Sequence, residues 1–154
     1  MASAYCSHRQ TLGKKKAANL YTPEGRTFRH RDLSFPNASM TSEIACHPII
    51  GQSIEYNDNR VSLFSAQYGK CAITGRMFLD ISEIHCHHKT PRYAGGKDNY
   101  QHLVLILPEV HRLIHAKKDE TIKTYLKALC LDSKQINKLN RFRIQMGLAP
   151  ITNS

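Results

Sequence analysis

The sequence has little acid to set against its base. Only 12 Asp and Glu oppose 22 Lys and Arg, leaving a formal charge of +10 and a pI of about 9.6. Such an excess favours a polyanionic partner, nucleic acid above all, and says little about fold. The cysteines lack pairing: there are five, an odd number, and no two have CxxC spacing. With no signal peptide in view, reduced thiols and a cytoplasmic protein are expected. Long apolar runs are missing too. The longest, "LVLIL" from Leu103 to Leu107, is far too short to span a membrane, so no membrane partner is expected. No internal repeat is visible. No two aspartates are adjacent, which excludes polymerase-type paired carboxylates. A chain of 154 residues with 41% hydrophobic content fits one compact domain with some extension.

Order is expected to begin late. Residues 1–40 carry "KKK" at Lys14 to Lys16, two prolines, a glycine at Gly25 and few periodic apolar positions. They read as an extended basic arm, and residues 41–55 are ambiguous. "NDNRVSLFSAQYGKC" (Asn57 to Cys71) predicts a helix capped by Asn57 or Asp58. Its stripe is Val61, Phe64 and Tyr68, and Gly69 stops it. "CAITGRMFLDISEIHCHH" predicts two short strands around a Thr74–Gly75 turn. A glycine-bearing loop follows, then a buried strand in "HLVLIL". A helix from Pro108 to about Lys117 comes next, with proline in its first turn. Two more helices are expected. Asp119 caps one, with Ile122, Leu126 and Leu129 as its stripe. Asp132 or Ser133 caps the other, with Ile136, Leu139 and Met146 inward and Gly147 as its stop.

The chemistry lies in the histidines. "EIHCHHKTP" holds His85, His87 and His88. Such clusters serve as core filler, metal ligands or acid/base groups. "PEVHRLIHA" adds His111 and His115 at i,i+4, on one face of a helix. Val110, Leu113 and Ile114 fall on its other side, so the helix can pack while both imidazoles project into shared space. Alone, an H-x3-H pair is a weak signal. Here a strand ending in histidines, a loop, a short strand and this helix follow in order, which folds the strand's histidines back onto the helix.

The segment "HHKTP…GG…YQHLVLI…H…H", from His87 to His115, resembles the HNH nuclease family, whose core is the ββα-metal fold. A longer stretch resembles the C-terminal end of bacterial group II intron-encoded reverse transcriptase/maturase proteins. It includes "YTPEGR", "SIEYNDNRVSLFSAQYGKCAITG", "CHHKTPRYAGGKDNYQHLVLI" and "VHRLIH". The resemblance implies an α+β fold in three parts: a basic arm and DNA-binding linker remnant over 1–52, the nuclease domain over 53–118, and a C-terminal helical extension over 119–154. It makes His88 the general base of DNA phosphodiester hydrolysis, a task for which imidazole is suited near neutral pH. His87, His111 and His115 become ligands of one divalent metal. His102 takes the place of the family's asparagine, as a catalytic helper or a fourth nitrogen ligand. Cleavage would leave a 5′ phosphate, and the implied task is second-strand cutting in intron mobility.

Cellular abundance and the family resemblance favour magnesium or manganese, whereas imidazole softness favours zinc, nickel, copper or manganese. Many relatives hold a structural zinc with two CxxC pairs. Here Thr74 stands opposite Cys71, and Leu107 and Val110 replace the second pair, so no structural zinc is expected. Cys86 reads as a buried small residue and His85 as support on the face of His87. Lys89, Arg92, Lys97 and Arg112 are the expected double-stranded DNA contacts, with Lys117 and Lys118 nearby. Tyr21, Phe28 and Tyr93 are candidates for stacking on bases, with loop packing as the plainer role. Intron RNA or a reverse transcriptase/maturase are further implied partners. Two other readings remain open: a catalytically impaired DNA-binding fragment, and a metal-storing histidine protein.

Overall fold

The computed structural model describes residues 38–152. The Lys14–Lys16 run, Arg26, Arg29, Arg31, Tyr21 and Phe28 lie outside the described residues. Residues 38–152 fall in one compact unit, so the C-terminal helices share the body of the expected nuclease segment. The architecture is α+β, with five helices and one two-stranded antiparallel sheet among the described residues.

Part of the expected arm is folded. Helix α1 (Ala38–Cys46) places Met40 and Ile44 one turn apart, and both are buried in the core. Helix α2 (Ile54–Ala66) starts earlier than expected. Ser53 caps it, its Oγ accepting from the Tyr56 N–H at 3.1 Å. Asn57 is unavailable as a cap because its side chain reaches back to Ile49, accepting from its N–H at 2.8 Å. Tyr68, expected on the inner stripe, lies beyond the helix with φ of 54° and is exposed.

Of the two strands expected around Thr74–Gly75, the first does not form and the second is confined to its last four residues, His85–His88. Only one bridge joins Lys70 to Met77. Residues 71–76 close on themselves instead: the Cys71 N–H donates to Arg76 O and the Gly75 N–H to Cys71 O, each at 2.9 Å. Gly75 supplies the left-handed φ of 70° that this turn needs. Asp80 then caps a short helical turn, Ile81–Glu83, that delivers the chain to the sheet.

Strand β1 (His85–His88) pairs with β2 (Leu103–Ile106), His87 opposite Val104 and His88 opposite Leu103. Every residue of β2 is buried, as its unbroken apolar run requires. The outer edge of β2 is covered. Gln67 donates to the Leu105 carbonyl and accepts from its N–H, both at 2.9 Å, and the Ala72 N–H adds a second bond to that carbonyl. In the loop between the strands Gly95 has φ of 89°, and a Cβ on Gly96 would overlap the Thr90 carbonyl oxygen. Gly96→Ala is therefore expected to lower stability by about 1–3 kcal/mol, because backbone must move to admit the methyl. Chemical denaturation measures it.

Helix α3 (Pro108–His115) follows β2 directly, with proline in its first turn as expected, and ends two residues earlier than expected. Helix α4 (Asp119–Leu129) begins at Asp119 itself, and Ile122, Leu126 and Leu129 pack on the core. Helix α5 (Ser133–Gln145) has a capping box between Asp132 and Gln135. Leu139 reaches the core, and Gly147 ends the segment with φ of 71°.

Candidate metal centre

Strand β1 buries His87 to 2% exposure, facing α3. Helix α3 has a narrow choice of faces. Val110, Leu113 and Ile114 are wholly buried in the core, which turns His111 and His115 toward the strand. The three rings meet edge to face. Their centroids lie 5.2 Å (His87–His111), 5.3 Å (His87–His115) and 4.8 Å (His111–His115) apart. One ring nitrogen from each falls within 4.8 Å of the others.

His87 Nε2 is buried and has no hydrogen-bond partner. An orphaned buried nitrogen costs about 1–3 kcal/mol, so it needs a compensating use. A cation supplies one. Imidazole nitrogens bind transition ions at about 2.1 Å, so modest ring rotations would bring these three to one ion. The residues fit a metal ion that takes neutral nitrogen ligands.

The electrostatics keep the ligands neutral. Burial pushes His87 down to about 3 and His111 to about 4, with the neighbouring imidazoles reinforcing both. His115 is lowered by burial and by Arg143. Unprotonated nitrogens are the ligating form. In the folded protein, cation affinity should fall less between pH 7.5 and pH 5.5 than the roughly tenfold per ligand that ordinary imidazoles would lose. Isothermal titration at the two pH values tests this. Stability moves differently. Below about 6.5 the unfolded chain binds protons at His87 and His111 and the folded chain does not. The metal-free protein should thus weaken as pH falls from 6.5 toward 4, by up to about 1.4 kcal/mol per pH unit at His87.

His85 shares the face of His87, as strand alternation predicts, and its ring lies 5.4 Å from His111. It is exposed and stands outside the trio. His102 also stands outside it. It ends a short turn at the entry to β2, where its carbonyl accepts from the Lys89 N–H at 2.7 Å. Cys86 is half-buried on the wall of the site, and burial pushes its thiol up to about 11.

His88, next along the strand, belongs to a different set of contacts. Its ring stacks on Tyr56, centroids 5.6 Å apart. Its Nε2 lies 2.8 Å from Asp98 Oδ1. Arg92 Nη2 donates to the same oxygen at 2.9 Å, and Ser53 Oγ donates to Oδ2 at 2.6 Å. These bonds, those from Ser53 and His88 foremost, hold the Asp98 carboxyl down at about 2. Sequence reasoning missed Asp98, although it is the one acid between Glu83 and Glu109. His87, His88, His111 and His115 all line one cavity of about 440 Å³, joined there by Tyr93 and Lys117.

The expected cationic contacts divide. Lys89 Nζ donates to Gln101 O at 2.8 Å, Arg92 to Asp98 and Gln52, and Arg112 to the Tyr125 hydroxyl at 3.0 Å. Lys97 is exposed with no such tie. Tyr93 is 86% exposed at the cavity, not packed into the loop.

A second missed residue supports the centre from behind. Arg143 of α5 is 3% exposed. Its Nη1 donates to the carbonyls of Leu113, Ile114 and Ala116 at 2.7, 3.1 and 2.9 Å, and its Nε to Ala149 O at 2.9 Å. It closes the C-terminus of α3 just past His115, where carbonyls otherwise lack partners.

No family model, curated protein or solved structure matches this chain. Cys71, Leu107 and Val110 are all buried in the hydrophobic core. Among the described residues no helix is long and apolar enough to cross a membrane.

Proposed function

We propose that this chain is a metal-dependent endonuclease of the HNH type that hydrolyses DNA phosphodiester bonds. The observation carrying the reading is one cavity shared by a three-imidazole cluster and a separately held histidine, His88. The order β1, loop, β2, α3 is compatible with the ββα-metal core that the sequence resemblance implies. The basic balance of the chain suits a DNA partner.

His87, His111 and His115 would hold the divalent cation, with magnesium or manganese as working ions and zinc or nickel as alternatives. When bound, the cation supplies stabilisation of negative charge on the phosphate and the leaving 3′ oxygen. His88 accepts the proton of the attacking water, a role open to it because the trio leaves it unligated. Lys117, on the cavity wall, and the exposed Lys97 would meet neighbouring phosphates. The product carries a 5′ phosphate, and the biological task is second-strand target cleavage during group II intron mobility. Intron RNA or a reverse transcriptase/maturase would be the working partners.

A second reading is favoured by one residue. His102 stands where the family has asparagine, which supports a catalytically impaired DNA-binding fragment. Incubating the protein with supercoiled plasmid and Mg²⁺, Mn²⁺, Zn²⁺ or Ni²⁺ separates the two. Open-circular product with at least one ion is expected. Salt-sensitive DNA binding with no cleavage under any ion supports the second reading and defeats the first.

A further inference from the structure

We infer that Asp98 is a positioning residue for His88. Its carboxylate accepts a hydrogen bond from the Nε2 proton and thereby fixes the tautomer whose open lone pair is on Nδ1.

An ionised carboxylate only accepts hydrogen bonds. His88 Nε2 lies 2.8 Å from Asp98 Oδ1, so that nitrogen must carry the proton; otherwise two lone pairs would face each other. The competing contact, Arg92 Nε at 3.4 Å from the same nitrogen, is longer, and Arg92 cannot donate to a nitrogen that already bears hydrogen. Arg92 instead serves the carboxylate, through Nη2 at 2.9 Å. With Nε2 protonated, Nδ1 is the acceptor of a neutral ring. Nδ1 makes no hydrogen bond with any described residue, and His88 lines the cavity.

The carboxylate is itself fixed from three directions. Ser53, at the N-cap of α2, holds Oδ2, while Arg92 and His88 share Oδ1. Asn59 on the same helix donates to the Asp98 carbonyl at 2.8 Å, which pins the loop backbone. Tyr56, also on α2, stacks on the imidazole. One helix therefore sets the ring plane and, through Asp98, the ring's proton. A base that must take a proton from water needs both. Asp98 touches neither water nor phosphate in this scheme and acts only through His88.

The inference rests on the nuclease reading for its purpose, but its geometry can be tested without cleavage. Imidazole nitrogen NMR shifts of the metal-free protein distinguish the two tautomers directly. The wild type should show His88 protonated on Nε2. In Asp98→Asn, the amide can donate to Nε2, so the Nδ1-protonated form should gain most of the population. A wild-type His88 protonated on Nδ1, or an unchanged tautomer in a folded Asp98→Asn, overturns the inference. The kinetic arm is a split. Asp98→Asn should lower kcat for nicking about 10²-fold or more with KM for DNA unchanged, and Asp98→Glu should recover part of it. Equal kcat in wild type and Asp98→Asn would also overturn it. Absence of nicking by the wild type would count against the nuclease reading alone, leaving the tautomer to decide this one.

Discussion

His88→Ala should slow plasmid nicking by about 10²–10⁴-fold while leaving cation binding intact. The separation follows from the geometry. His88 lies outside the imidazole trio, so removing its ring takes no ligand from the ion. Its neighbours tolerate the loss: Asp98 keeps Arg92 and Ser53, and Tyr56 loses only a stacked ring. Stability should therefore change by less than about 1.5 kcal/mol. Three measurements go together: nicking rate at saturating cation, the cation isotherm, and the thermal midpoint. A variant that nicks as fast as the wild type removes His88 from the mechanism. A variant that loses the cation instead would make His88 a ligand.

Arg143→Met should cost about 3–5 kcal/mol of unfolding free energy, the largest stability effect of any single change expected here. Methionine fills similar space but donates nothing. The buried carbonyls of Leu113, Ile114 and Ala116 at the end of α3 would then lose the guanidinium that joins them. The loss should spread to function, because His115 sits on the turn that Arg143 closes. Cation affinity should fall along with stability. Arg143→Lys retains charge without the planar fork and should fall between the two. Urea unfolding gives the number, and a loss below about 1 kcal/mol would show that those carbonyls find other partners.

What the sequence discloses here follows from how locally each feature is encoded. The pairing of β1 with β2 and the histidine face of α3 are legible because apolar periodicity and the H-x3-H spacing are short-range. Val110, Leu113 and Ile114 on one side leave His111 and His115 only one direction to face. The Cys71–Arg76 segment misleads for the same reason. Its turn residues resemble a hairpin, but backbone bonds inside the segment, and the bond from Ala72 to Leu105, are stronger claims on its N–H groups. Asn57 looks like a helix cap until Ile49 takes its side chain. Asp98 and Arg143 were hidden because their roles are tertiary. On a linear sequence one is a loop acid and the other a charge on an amphipathic helix. Only folding brings the acid to His88 and buries the arginine under α3.

On the proposed reading, three imidazoles hold the one ion on which DNA cleavage depends. The most direct measurement of this is nicking of supercoiled plasmid as cation is added back to chelator-stripped protein, for the wild type and for His111→Ala. Expected are no nicking without cation, a wild-type rate that saturates at one ion per chain, and loss of both ion uptake and nicking in His111→Ala. Nicking that persists in excess chelator, or that survives in His111→Ala at wild-type rate, would contradict that reading.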